Sequence, residues 1–249
     1  MSDQPVRGEQ TQRFVEGLRV LVVGGISAGV LLIGIGSRLA MLLLRVTSPD
    51  RVRGVESDDG FIIGHVTLAG TYNLLLLGAI VGIIGAAAYL MVAPWLIGPN
   101  WFRRITTGLA AAAVVGSMLV HADGIDFTVL KPMWLAIGVF IALPGLFGVF
   151  IGVIVDAVGR PDSWTARGRW QVVLPVLLVA CFPPSVIFVA VAAAVFGAWV
   201  LVSNLDPIRT VRRSVAYALA IRAAWLIVAI LGLVAIINDT QALAEAVRR

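Results

Sequence analysis

Long apolar runs alternate with short polar connectors along almost the whole chain. The runs cover about 18–44, 72–97, 104–120, 132–156, 171–203 and 215–237. Roughly 20 apolar residues in a helix cross the 30 Å of hydrocarbon in a bilayer. Backbone groups in lipid must find partners within their own segment, which helices provide. Ten-residue segments of alternating polarity, the mark of a membrane barrel, are lacking. The pattern predicts an all-α protein, a polytopic helical membrane bundle with six or seven transmembrane helices. Residues 1–16 are expected to form a disordered cytoplasmic tail, 17–240 the transmembrane domain, and 241–249 a polar C-terminal tail.

The first run is too long for a signal-peptide core and lacks a small-x-small cleavage site after it, so a retained span is expected. The connector 46–71 has a mildly apolar centre, suited to the membrane interface or to a short hairpin. Pro132 opens the fourth span, and Pro144-Gly145 is expected to break it. Residues 171–203 are too many for one ordinary span and few for two. Pro183-Pro184 at their centre disfavours helix in the residue before it. A tight hairpin of two short spans is the preferred reading, with a single kinked span or a re-entrant segment as alternatives.

Composition agrees with the pattern. The 249 residues are 59% hydrophobic and 13% charged, about half the charge of a soluble domain. The net charge of +5 comes from 19 basic residues spread among connectors. That distribution sets orientation and meets anionic lipid heads; it presents no face for nucleic acid, so none is expected as a partner. With the N-terminus inside and 171–203 a hairpin, eleven basic residues lie on the cytoplasmic side against seven outside. The rule favours a cytoplasmic N-terminus. Cys181, the single cysteine, lies in an apolar run and is read as a small packing residue.

Small residues recur at helical spacing. Gly25 and Gly29, Gly78 and Gly82, Gly148 and Gly152, and the series Gly108, Ala112, Gly116 let helix backbones approach closely in lipid. Packing within the chain is the expectation. The tryptophans at 95, 101, 134, 164, 170, 199 and 225 fall mostly at span ends, as interface anchors do.

Span parity gathers the candidate polar chemistry on one side. The first and third connectors carry both histidines and six of the 14 acids. Asp58, Asp59, His65, His121, Asp123 and Asp126 form the candidate polar site. His with carboxylates suits a divalent cation, but no HExxH or Cys/His spacing is present. The DDG and ADG strings are turn signals, so no metal and no cofactor are expected. The third connector is expected to dock on the first, Ile125, Phe127 and Val129 against Phe61, Ile62 and Ile63. Asp123 and Asp126 would then meet Arg51 or Arg53, with His121 beside Asp58 or Asp59. Ser117 and His121 share a helix face, but without an oxyanion arrangement Ser117 reads as a packing residue. Arg38 and Arg222 are the candidate intramembrane charges; each is near enough to a span end to snorkel. Asp156 is expected to meet water or Arg160.

At SDDGFIIG, GSMLVHADGIDF and ALPGLFG the chain resembles a group of multi-pass membrane proteins of high-GC bacteria with no assigned activity. The resemblance covers most of residues 30–160 and implies a bacterial plasma-membrane location. It transfers no catalytic or ligand residue. Short connectors without a catalytic motif point to a non-catalytic structural or partner subunit. A small-solute or ion transporter built on the Pro breaks is the alternative, and an intramembrane enzyme the third. The expected partners are the lipid bilayer and other membrane proteins.

Overall fold

The computed structural model describes residues 12, 15–49, 54, 66–121, 127, 129–203 and 214–248. Seven helices make up nearly all of it: α1 (Val15–Thr47), α2 (Leu68–Val92), α3 (Asn100–Leu119), α4 (Met133–Gly159), α5 (Trp170–Cys181), α6 (Ser185–Ser203) and α7 (Val215–Arg248). A 3-10 turn at Ala93–Trp95 extends α2, and another at Trp164–Ala166 lies between α4 and α5. Four helices, α1, α2, α4 and α7, are long and apolar enough to cross a membrane. Their outer surface matches that reading. Leu109, Met118, Trp134, Ile187 and Leu231 are all more than 60% exposed, a surface that water does not tolerate and lipid does. This is a helical membrane protein.

The helix starts follow from local chemistry. Thr67 caps α2, its hydroxyl accepting from the Gly70 amide at 3.0 Å. Pro99 and Pro132 stand just before α3 and α4, where the missing amide costs nothing. α1 is unusual: two stretches, Val20–Gly24 and Gly29–Ile35, have the wide turn of a π-helix. Within α4, Pro144 does not produce the break expected from the sequence. The helix is continuous from Met133 to Gly159 and Pro144 is fully buried. Packing against neighbouring helices offsets the one missing backbone bond, as it does elsewhere in membrane helices.

The expected break at Pro183-Pro184 does occur. α5 ends at Cys181, Phe182 takes a non-helical conformation, and α6 begins at Ser185. The last helix does not stop near 237. It runs on to Arg248, and Leu243, within the expected polar tail, is buried against Leu44, Val120 and Phe127.

α1 is the most enclosed of the long helices and α7 the least. α1 crosses α2 at its glycines: a methyl on Gly25 would come within 2.8 Å of the Gly82 carbonyl oxygen, and one on Gly29 would overlap the Gly78 carbonyl. α3 packs along most of α4, where Gly108 faces the Gly145 carbonyl and Gly148 faces Gly108. α7 lies on α3, with Gly232 against the Ala113 carbonyl, and α6 lies on α2. The small-residue pairs therefore serve packing within the chain, as expected. One core gathers Leu21, Ile26, Ile83, Ile151 and Val155, and a second gathers Leu44, Val120, Phe127 and Leu243 at the other end. These ends are called here the Asp156 end and the Lys131 end.

Candidate functional site

At the Lys131 end, the polar site expected from the sequence is described only in part. Asp58, Asp59, His65, Asp123 and Asp126 lie outside the described residues, as do Arg51, Arg53 and Phe61. His121 is exposed, its Nδ1 3.1 Å from the Leu119 carbonyl oxygen. Its ring stands edge-on to Phe127, 6.4 Å between centroids. Phe127 is almost fully buried and meets Phe140 at 5.3 Å. Of the apolar edge foreseen for the third connector, Phe127 and Val129 pack in the cluster that holds Ala136, Ile137 and Phe140 of α4, while Ile125 and the expected partners Ile62 and Ile63 lie outside the described residues. A tie to the start of the first connector is also present: the Ser48 hydroxyl donates to the Lys131 carbonyl at 3.1 Å and accepts from the Lys131 amide at 2.9 Å. Ser117 donates to its own helix, at the Val114 carbonyl, rather than to His121. Among the described residues, no cluster of three or more His, Cys, Asp or Glu has the arrangement of a metal site.

The two arginines singled out as candidate intramembrane charges each reach a neighbouring helix end. Arg38 on α1 donates through Nε and Nη2 to the Thr71 hydroxyl, at 3.2 and 2.9 Å, and through Nη2 to the Thr67 carbonyl at 3.4 Å. It fastens α1 to the first turn of α2. Arg222 on α7 donates to the Trp95 carbonyl at 3.1 Å, beyond the other end of α2. There Trp95 packs edge-on with Trp199 and with Tyr217, joining α2, α6 and α7. Helix C-termini leave carbonyls without partners and carry partial negative charge, so a guanidinium is well placed there.

The richest described polar arrangement lies at the Asp156 end, which sequence reasoning did not single out. Tyr89 on α2 donates to Asp156 on α4, 3.2 Å from Oδ1, and Arg104 on α3 stands 3.7 Å from Oδ2. Asp156, expected to meet water or Arg160, is 44% exposed and makes its ion pair with Arg104 instead of Arg160. Arg103 donates to the Ala93 carbonyl. On α1, buried Arg19 donates to the Thr165 hydroxyl at 2.9 Å, and Thr165 also bonds Ser163. A cavity of about 470 Å³ opens beside these groups. Glu16 and Arg19 line it from α1, Asp156 from α4 and Arg160 from just past the end of α4. Val20, Leu90, Val155 and Phe196 supply its apolar wall.

One signal for this site was available in the sequence. Glu16 and Arg19 are three apart and Asp156 and Arg160 four apart, so each pair shares a helix face near a span end. Arg104, the third helix's contribution, has no such local mark. No family model matches the chain, and no curated protein or solved structure similar to it was found.

Proposed function

We propose that this chain is a multi-pass subunit of a bacterial plasma membrane, non-catalytic, with seven crossings and a cytoplasmic N-terminus. One observation supports the non-catalytic reading: several polar side chains of the bundle are engaged in bonds from one helix to another. Arg38 joins α1 to α2, Arg222 joins α7 to α2, and Tyr89, Asp156 and Arg104 join α2, α4 and α3. Such ties fix an arrangement of helices, the task of a structural or partner subunit. Wide apolar faces on α7, where Leu226, Ile227, Leu231 and Leu233 are exposed, leave room for lipid or a membrane partner.

Seven crossings follow from reading α3 and the short helices as spans as well. α5 starts next to the Thr165 turn at the Asp156 end and finishes at Cys181, whose carbonyl accepts from Tyr72 at 3.2 Å near the start of α2. α6 returns, bringing Phe196 to Gly17 and Trp199 to Trp95. The excess of arginine at the Asp156 end supports placing that end in the cytoplasm. The sequence resemblance supports the bacterial membrane.

Crosslinking in native membranes followed by affinity purification tests the subunit reading. A stoichiometric membrane partner is the expected result, and recovery of the chain alone at every crosslinker length would remove the reading. A small-solute carrier is the second reading, favoured by the helix break at Phe182 between α5 and α6. Solute flux through reconstituted liposomes would place it first.

A further inference from the structure

We propose that the connector between α4 and α5 is a fixed foot that binds anionic phospholipid. Trp164 and Trp170 enter the headgroup layer, and Arg160, Arg167 and Arg169 take lipid phosphates. The proposal stands under either functional reading, because it uses this connector alone. α4 is long and apolar enough to cross a membrane and finishes at Gly159. α5 resumes an apolar run straight after Trp170, with Val172 and Val176 exposed on its surface. A polar connector between two such helix ends belongs at the boundary of hydrocarbon and water.

Two large rings lie open on this connector, Trp164 at 59% and Trp170 at 40% exposure. They stand edge to face with centroids 6.3 Å apart, and the Arg169 guanidinium lies 5.8 Å from the centre of the Trp170 ring. An indole left in water loses the burial that such a ring gains elsewhere, whereas the headgroup layer accepts both its apolar body and its N–H. The turn that carries the rings is held from below. Thr165 is buried, accepts from Arg19 of α1 and bonds Ser163. The Gln171 side chain donates to the Ala166 carbonyl. Little ordering of the turn is left to be done on binding.

Charge selects the lipid. Residues 160–171 hold three arginines and one acid, Asp162, all exposed. Arg167 donates to the backbone carbonyl of Asp162 and not to its carboxylate. Among the described residues, none of the three arginines makes an ion pair. A guanidinium presents its N–H groups to phosphate as a planar fork. A zwitterionic headgroup carries an ammonium that offsets its phosphate, and an anionic headgroup does not. Each arginine near the surface should favour the anionic lipid by about fivefold. A soluble acidic protein could meet the arginines, but the rings beside them match the lipid that already surrounds α4.

Two measurements on the full-length protein test this. In nanodiscs, the emission of Trp164 is the difference between the parent and Trp164→Phe. It should be quenched by lipids brominated near the headgroup and little by acrylamide in the water. In detergent, native mass spectrometry compares retained phosphatidylglycerol with phosphatidylcholine. The preference for phosphatidylglycerol should fall by about twentyfold in Arg167→Gln/Arg169→Gln, which keeps the Arg19–Thr165 bond. Arg45→Gln/Arg248→Gln removes the same charge at the Lys131 end and should lower the preference much less. Equal falls in the two double variants, or no fall in the first, would overturn the proposal. So would quenching of Trp164 by acrylamide in place of bromine, the result expected of a surface kept for a soluble acidic partner.

Discussion

Tyr89 and Asp156 hold α2 and α4 together at one end of the bundle, with a hydroxyl-to-carboxylate distance of 3.2 Å. Gly152, one turn before Asp156, makes the bond possible: a methyl there would press to 3.0 Å on the tyrosine ring. The glycine lets the ring lie close to α4, and the carboxylate one turn further on takes its proton donor. Packing and polar bonding are thus specified together by residues four apart on one helix.

Tyr89→Phe keeps the ring and removes only the donor. It should lower unfolding stability in detergent by about 1 kcal/mol, the net worth of a partly exposed hydrogen bond. Gly152→Val should cost more, about 2 kcal/mol, because the ring itself must move. A phenylalanine variant as stable as the parent would show that the bond contributes nothing in solution.

The crossing of α1 and α2 gives a sharper contrast. Gly29→Ala places a methyl on the Gly78 carbonyl, whereas Gly138→Ala on α4 points into open space. The first should destabilise by roughly 2 kcal/mol as the helices are forced apart. The second should stay within about 0.5 kcal/mol of the parent. Matched thermal melts of the two variants decide whether the close approach carries energy.

The Ser48 hydroxyl both donates to and accepts from the backbone of Lys131. Ser48→Ala removes both bonds, so the Lys131 amide should exchange its hydrogen about fivefold to tenfold faster, equivalent to about 1 kcal/mol. Ser48→Thr should restore protection. Exchange measured at that amide in the three proteins is the check; equal rates would separate the two connectors energetically.

Topology is open to direct labelling. In a Cys181→Ser background, single cysteines at Gly8 and Gly168 should be protected from an impermeant reagent in intact cells, and those at Gly60 and Arg249 should react. Reaction at Gly168 with protection at Gly60 would reverse the orientation. Protection at Arg249 with the others as expected would leave six crossings.

What the sequence made legible was mostly local. The glycine spacings announced close helix packing within the chain, though not which helices would cross, because small residues at four-residue intervals let backbones approach in lipid. Pro183-Pro184 announced its break because two consecutive residues without amides end a helix by themselves. Pro144 misled, since a single proline leaves only one bond to compensate and burial of the surrounding helix supplies it. The Asp156 arrangement stayed hidden for a different reason. Arg104 and Tyr89 come from separate helices, and only their three-dimensional packing brings them to the carboxylate. Charge counting treated Arg19 and Arg104 as orientation signals; the structure gives each a specific partner.

The wide turns of α1 bear on how this helix tolerates length changes. A π-turn accommodates a residue beyond what an α-turn holds, so it stores the equivalent of a one-residue insertion. Removing one residue from within Gly29–Ile35, for instance Leu31, would let that stretch contract to α-geometry while leaving the phase of everything after it unchanged. Arg38 would still point at Thr71. The same deletion in the middle of α2 has no such slack, and would rotate the rest of that helix by about 100°, turning Tyr89 away from Asp156.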